Sequence, residues 1–264
     1  MKDIFKTKNC IRCFNIFKSN PLIQEDDICS TCERMNSITF WYPVLHRQQF
    51  PTPKTIIVNA DVELGYLIDD KIPKKAVRFL KEMSIAIDEV GLPAFIRTEM
   101  LSNKHDWKHS CFLEKKEDLI GHLKNLIEMS SIARIDVGVP HDFFAVREMI
   151  PTESYFTYFA GDMPITKEVR VFVKNGKIVC KHPYWPADIF KEIDKEKIKS
   201  LRELSKDDEE ETNKMAEYVS RLFSGYWSVD LLKSKTGEWF CTDMAIGERS
   251  WHDKTCSKIS NKSK

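Results

Sequence analysis

Two aspartates and four paired cysteines are the residues of this 264-residue chain whose types and spacing most plainly suit chemistry. Asp230 and Asp243 each sit inside an apolar run, at residues 226–232 and 238–244. Both runs alternate in the manner of strands, joined by a turn at 234–237. A carboxylate in a half-buried strand is costly unless a cation answers it. A loop of four residues puts position 230 opposite 241, so Asp230 and Asp243 point from one sheet face and could share metal ions. A loop of five residues without a bulge would put them on opposite faces. The alternative is that each acid is paired with a neighbouring basic residue.

The cysteines form two CxxC knuckles, Cys10 with Cys13 and Cys29 with Cys32, fifteen residues apart. Such spacing lets four thiolates converge on one tetrahedral zinc ion, and four ligands leave no open position, so the zinc would be structural. The competing reading is a pair of redox-active or disulfide-bonded cysteines. A segment this short has little core of its own, so metal binding would be what folds it.

Composition sets the frame for both. A hydrophobic share of 42% and a charged share of 31% describe a globular chain with a substantial core. The formal net charge of +1 offers no global field for nucleic acid or an acidic membrane. No apolar leader or membrane-length run stands out, which points to a cytoplasmic protein whose cysteines are thiols or metal ligands.

The elements that must position these residues read as follows. After a polar link at 33–39, Phe40-Trp-Tyr-Pro opens the main domain, with a strand at 55–59 and one or two helical turns at 62–68. A helix begins near Pro73, repeats Leu80, Met83, Ile87 and Val90 at helical spacing, and closes at Gly91. Residues 93–98 are a buried strand ending on Arg97. The loop 99–109 that follows holds Lys104, His105 and Trp107 and is either solvated surface or phosphate-facing. An amphipathic helix spans 117–129, and a strand spans 143–150. Residues 167–174 and 177–181 form a hairpin around Asn175-Gly176, a strong turn signal, and the returning strand opens into His182. Helices are expected at 187–204 and 207–223, the second with its acidic run 207–211 as a solvated cap at the positive end of the helix dipole. The tail loosens from about Ser257. Glu248, Arg249, Ser250, His252 and Cys256 follow the acid-bearing hairpin and belong to a substrate site or are incidental.

Arg97, Glu148, Glu168, Arg170, Lys181, Asp230 and Asp243 all lie on or at the ends of strands. Cations near strand ends together with two acids suit a nucleoside triphosphate, whose phosphates meet the cations and whose magnesium meets the acids. None of the nine glycines falls in a P-loop or a dinucleotide-binding motif. The succession PAFIRT, VREMI, KEVRVFVKNGKIV and WSVDLL…GEWFCTDMA resembles the ATP-grasp superfamily. Phe40-Trp-Tyr-Pro, the strand 55–58, Tyr66-Leu-Ile-Asp and Ser102…Asp106-Trp107 are similar to the branch containing the eukaryotic cell-division-cycle assembly chaperone of translation initiation factor two. The resemblance covers about residues 40–250.

It implies an α+β protein: an ATP-grasp domain at 40–252, in which two α+β subdomains clasp ATP, preceded by a zinc ribbon at 1–39 and followed by a polar tail at 253–264. It implies ATP and Mg2+ as ligands besides Zn2+. Arg97 and Arg170 would meet the phosphates, with Lys104 and Lys181 as further cations. Arg147, Glu148, Met149 and Ile150 would form the hinge beside the adenine. Asp230 and Asp243 would hold magnesium. Where the family usually has an Asn two residues after the second acid, this chain has Ala245, so that ligand is missing or replaced by Glu248. The catalytic set in this reading is Arg97, Arg170 and Asp243. The implied activity is ATP-dependent ligation of a carboxylate to an amine or thiol; the alternative is a non-ligating ATP-binding assembly protein, whose partner would be another protein.

Overall fold

The computed structural model of the chain describes residues 6–19, 27–60, 64–69, 71–137, 142–160, 162–254 and 256. Strands β1 (Lys6–Asn9) and β2 (Ile16–Ser19) pair antiparallel, and a one-turn helix α1 (Ser30–Glu33) follows. The Phe40-Trp-Tyr-Pro segment is helical: α2 (Ile38–Arg47) contains Pro43 and buries Ile38, Trp41 and Leu45 completely. That helix was not expected, because aromatic residues and a proline argue against one until tertiary burial overrides propensity. The expected turns at 62–68 reduce to a 3-10 turn at Gly65–Leu67, with part of the segment outside the described residues.

The chain continues through β3 (Thr55–Asn59), α3 (Ala76–Val90), β4 (Ala94–Thr98), β5 (Phe112–Leu113), α4 (Leu119–Val137) and β6 (Phe143–Glu148). A hairpin of β7 (Ser154–Tyr158) and β8 (Met163–Thr166) follows. Then come β9 (Glu168–Lys174), β10 (Lys177–Pro183), α5 (Lys195–Arg202), α6 (Lys206–Leu222), β11 (Tyr226–Lys233) and β12 (Trp239–Ile246). The architecture is α+β, and it divides into two compact units. One takes Met1–Thr39, Pro53–Ile150 and Thr157–Met163; the other takes Phe40–Thr52, Pro151–Phe156 and Pro164–Lys264.

The sheet of the first unit is antiparallel in the order β3-β6-β4-β5. Its core joins Val58, Ile96, Phe144 and Val146 to Phe79, Met83 and Ile87 of α3 and to Leu123, Leu126 and Ile127 of α4. Helical spacing on one side and strand alternation on the other bring these residues together, and each fully buried side chain contributes about 1.5–3 kcal/mol. Alternation also dictates what the opposite sheet face carries: Thr55, Phe95, Arg97 and Arg147, registered as Thr55 opposite Arg147 and Phe95 opposite Arg147.

The second unit has an antiparallel sheet in the order β10-β9-β11-β12. Asn175 and Gly176, at φ +49° and +85°, turn β9 into β10 as the sequence predicts. Helix α6 packs on the face carrying Val169, Val171 and Val173 and adds its buried Met215, Ala216 and Val219. The single helix expected at 187–204 is instead a 3-10 turn at Ala187–Ile189 and the separate α5. Asp194 restarts the helix by accepting hydrogen bonds from the Glu196 and Lys197 amides at 2.9 and 3.2 Å. The acidic cap of α6 is also more than solvated surface. Asp208 is buried and accepts from Lys233 Nζ at 2.6 Å and Trp239 Nε1 at 3.0 Å, fastening the helix to the β11–β12 hairpin.

Two bulges reset this sheet. The loop between β11 and β12 has five residues, 234–238, and an extra residue in β12, Thr242, lies between the Leu231–Cys241 and Asp230–Asp243 pairs. Asp230 therefore stands opposite Asp243, not 241, and the two acids still share a face. In β10 the extra residue is Val179, between the Ile178–Val173 and Cys180–Phe172 pairs. Each bulge exchanges the faces of the residues beyond it, which brings Asp243 in β12, and Cys180 and His182 in β10, to the face away from α6.

Candidate functional site

That face of the second unit carries a row across three adjacent strands. Arg170 of β9 is opposite Asp230 of β11, which is opposite Asp243 of β12. The Arg170 guanidinium donates to both oxygens of the buried Asp230 carboxylate, Nε at 2.7 Å and a terminal nitrogen at 2.8 Å. It also donates to the Trp251 carbonyl at 3.4 Å and lies over the Tyr184 ring at 4.9 Å. Burial disfavours the Arg170 charge, but the carboxylates of Asp230 and, further off, Asp243 outweigh it and raise its pKa. The pairing of Asp230 with a basic neighbour, one of the two alternatives for the acids, is thus present. Asp243, whose carboxylate accepts from the Met244 amide at 3.0 Å, adds further oxygens and completes an oxygen-rich ledge.

The other predicted residues of this unit fall differently. Lys181 is on the α6 face: its Nζ binds Glu209 at 2.5 Å and Thr212 Oγ1 at 2.9 Å, so it stands apart from the Arg170 row. Glu248 sits in the 3-10 turn Gly247–Arg249. Burial raises the pKa of the Tyr226 phenol, and negative charge at Glu248 acts in the same direction. Ala245 is opposite Ser228 and offers no side-chain ligand.

In the first unit Arg97 is buried, its Nε donating to the Thr98 carbonyl at 3.1 Å. Arg147, two strand positions away on the same face, donates through Nε to Thr55 Oγ1 at 3.0 Å. Glu148 points to the other face, its carboxylate accepting from the Lys54 amide at 2.7 Å. Met149 and Ile150 continue past the strand, half-buried, to the end of that segment of the unit. Lys104 is in a loop that is tied down, with Ser110 Oγ donating to the Asn103 and Asp106 carbonyls at 2.7 and 2.6 Å and Trp107 stacked on Phe112. Burial lowers the pKa of neighbouring His105, and Lys104 adds to the effect.

The succession of elements and motifs matches one family: residues 86–254, more than half of the chain, fit the ATP-grasp domain, R2K clade family 3. The chain belongs to that family. Comparison with curated proteins gives no match. Among solved structures, this ATP-grasp chain is similar to C-terminally truncated Cdc123 from Schizosaccharomyces pombe, at 16% identity and a TM-score of 0.56, covering 82% of this chain and 85% of that one. A second structure of Cdc123 from the same organism gives 15% identity and a TM-score of 0.54, covering 83% and 86%. At such identities the likeness shows the ATP-grasp fold.

The groups that an ATP-grasp fold implies are ATP and Mg2+. The donor set fits magnesium, because the Asp230 and Asp243 carboxylates are hard oxygen ligands directly opposite each other, with side chains about 5 Å apart at Cβ in such a pair. Each unit also carries guanidinium groups on a sheet face, Arg97 and Arg147 in the first and Arg170 in the second. No helix among the described residues is long and apolar enough to cross a membrane.

Two cysteine clusters accompany this domain. Cys10, Cys13, Cys29 and Cys32 bring their sulfurs within 4.8 Å of one another. Cys13 and Cys29 are 3.6 Å apart, and the Cys29 amide donates to Cys10 Sγ at 3.4 Å. Burial opposes a Cys10 thiolate, but backbone N–H groups of Cys13, Cys29 and Arg12 prevail and bring its pKa to about 6. Burial and the other three cysteines raise that of Cys32. The cluster is compatible with a small zinc-binding element. The second cluster, Cys180, His182, His252 and Cys256, also lies within 4.8 Å. Its members appear in the sequence as C-x-H and H-x-x-x-C, seventy residues apart. That spacing is not a knuckle pair, and the Val179 bulge hides that Cys180 and His182 face away from α6.

Proposed function

We propose that this ATP-grasp protein binds ATP with magnesium and ligates a carboxylate to an amine or thiol. The observation that carries the reading is the Arg170–Asp230–Asp243 row, which sets two carboxylates opposite each other beside a guanidinium. Asp230 and Asp243 would hold magnesium, with Glu248 as a further oxygen donor. Arg170 and Arg97 would neutralise phosphate oxygens, with Lys104 as a further cation. Arg147, Glu148, Met149 and Ile150 would form the adenine hinge. Lys181, committed to α6, would act only by supporting β10. When bound, ATP would supply the phosphoryl group that activates the carboxylate, with ADP released on activation and phosphate released when the amine or thiol attacks. The chain's own part is orientation and charge neutralisation. Zinc on Cys10, Cys13, Cys29 and Cys32 would fold the N-terminal segment. A cytoplasmic setting would keep these thiolates reduced and able to bind metal.

One observation favours a second reading, an ATP-binding assembly factor that ligates nothing. With Ala245 in place of an amide ligand and Asp230 already engaged by Arg170, the metal shell is thin for phosphoryl transfer. Calorimetry decides ATP binding: Arg97→Ala and Arg170→Ala should each weaken ATP–magnesium affinity by about 10–100-fold, the worth of a charge-assisted hydrogen bond. Unchanged affinity in both folded variants overturns the assignment. Phosphate release across a panel of small carboxylates and acidic peptides then separates the readings. A ligase loses about a hundredfold or more on Asp243→Asn. Wild type that releases none with any acceptor supports the assembly factor.

A further inference from the structure

A tetrahedral ion predicts its own ligand spacings. With metal–nitrogen bonds of about 2.0–2.1 Å and metal–sulfur bonds of about 2.3 Å, the tetrahedron edges are about 3.3 Å between nitrogens and about 3.6 Å between nitrogen and sulfur. In the second unit, His182 Nε2 and His252 Nδ1 are 3.4 Å apart, and Cys180 Sγ and His252 Nδ1 are 3.7 Å apart. Cys256 completes the set within 4.8 Å, and both it and His182 are buried. We infer that Cys180, His182, His252 and Cys256 form a second, structural zinc site, separate from the N-terminal cysteines and from the Asp230–Asp243 ledge.

The surroundings hold the ligands in the state a metal requires. His252 presents Nδ1 to the cluster while its Nε2 meets the Tyr226 hydroxyl at 2.9 Å. Placing the ring proton on Nε2, donated to the phenol oxygen, leaves the Nδ1 lone pair facing the cluster; partners of this kind fix tautomer and ring orientation at metal sites. Phe172 stacks on the His252 imidazole with centroids 3.6 Å apart. A Cβ at Gly247 would collide with the Tyr226 ring, so only glycine there lets Tyr226 reach His252. Soft sulfur with imidazole selects zinc over magnesium, which keeps this site chemically distinct from the carboxylates. Four protein ligands leave no open position, so the role is to clasp. His252 and Cys256 are fastened to β10 across some seventy residues of chain, and the clasp holds in place the Trp251 carbonyl that receives Arg170.

The competing fate of two adjacent thiols is a Cys180–Cys256 disulfide. The experiment is metal analysis of the full chain purified anaerobically under reducing conditions. Wild type should carry one equivalent of zinc more than His252→Ala/Cys256→Ser, while Cys10→Ser/Cys13→Ser loses a different equivalent and the combination loses both. Equal zinc in wild type and in the folded His252→Ala/Cys256→Ser variant overturns the inference, as does a Cys180–Cys256 disulfide found by peptide mapping of that preparation. Where that variant fails to fold, Cys256→His serves: it keeps the metal count, but in the cobalt-substituted protein it halves the thiolate-to-cobalt charge-transfer band of this site. An unchanged band overturns the inference.

Discussion

The two cysteine clusters in this molecule are built in opposite ways. The N-terminal one is local: Cys10 to Cys32 spans twenty-three residues, and its strands β1 and β2 have four residues each. Around it lie exposed Ile11, Phe14 and Ile16, so the apolar surface there is on the outside. The second is assembled by a sheet that stands without it. β9, β10, β11 and β12 are joined by ladders along their length, two of them with a single bulge, and α6 covers their other face. A metal in the first cluster would therefore create structure, and in the second it would fasten a tail to structure already there. The difference separates metal as a folding partner from metal as a clasp.

The largest test of that contrast is metal withdrawal. Apparent binding energies for structural zinc in small modules are about 10–16 kcal/mol, far more than four-residue strands could recover by packing. A strong chelator should make the segment before about residue 37 cleavable by protease while residues 53–137 and 164–250 stay resistant. A segment that remains protected without metal would place its stability in packing and erase the contrast.

A smaller effect tests the claim that the second sheet holds itself. Asp208 fixes α6 to β11 and β12 through Lys233 and Trp239. Burial pushes its pKa up, but the hydrogen bonds from Lys233, Trp239 and Ser205 prevail and hold it below the usual carboxylate value. With the folded pKa depressed, its contribution is present above the unfolded value of about 4 and disappears as pH falls through the folded value. Asp208→Asn should cost about 1.5–3 kcal/mol at neutral pH. The gap in melting temperature between wild type and variant should stay level from pH 7 to pH 5 and close below about pH 4. A gap that does not narrow between pH 4 and pH 2 would mean that the carboxylate charge is not what holds α6.

The two clusters also differ in how far the sequence discloses them. CxxC pairs at knuckle spacing name their own geometry, and the core positions of α3 and α4 follow from helical period alone. The start of α6 follows to within a residue from its acidic run, and the structure adds Ser205 as its cap. What resisted reading was whatever depends on a bulge or a distant partner. Asp230 and Asp243 were expected on one face with 230 opposite 241; they share a face because a five-residue loop is offset by Thr242. Lys181 could be seen as a strand cation, but only the register shows it turned toward α6. α2 was hidden because Trp41 and Pro43 do not favour a helix until Trp41 is buried. His252 and Cys256 stood out as residues near a tail, and nothing in their spacing names Cys180 and His182 as their company.

The smallest predicted effect isolates that last point. On a regular ladder continuing from Ile178 opposite Val173, Val179 would face Phe172, and Cys180 and His182 would turn toward α6. The bulge inserts Val179 without a partner, so Cys180 stands opposite Phe172 and His182 opposite Arg170. Deleting Val179 should therefore be nearly silent. Cys180 would follow Ile178 directly, still opposite Phe172, and every pair beyond it would keep its face. Stability should change by less than about 1 kcal/mol, as for a substitution outside the core. Zinc content should stay as in wild type. Inserting one alanine between Cys180 and Lys181 does the reverse, returning His182 to the α6 face while leaving Cys180 in place, and should lose one equivalent of zinc. If the deletion loses zinc as well, the strain and twist of the bulge itself aim the ligands. If the insertion keeps it, residues 182–183 can re-register freely, and the second cluster is as local in its making as the first.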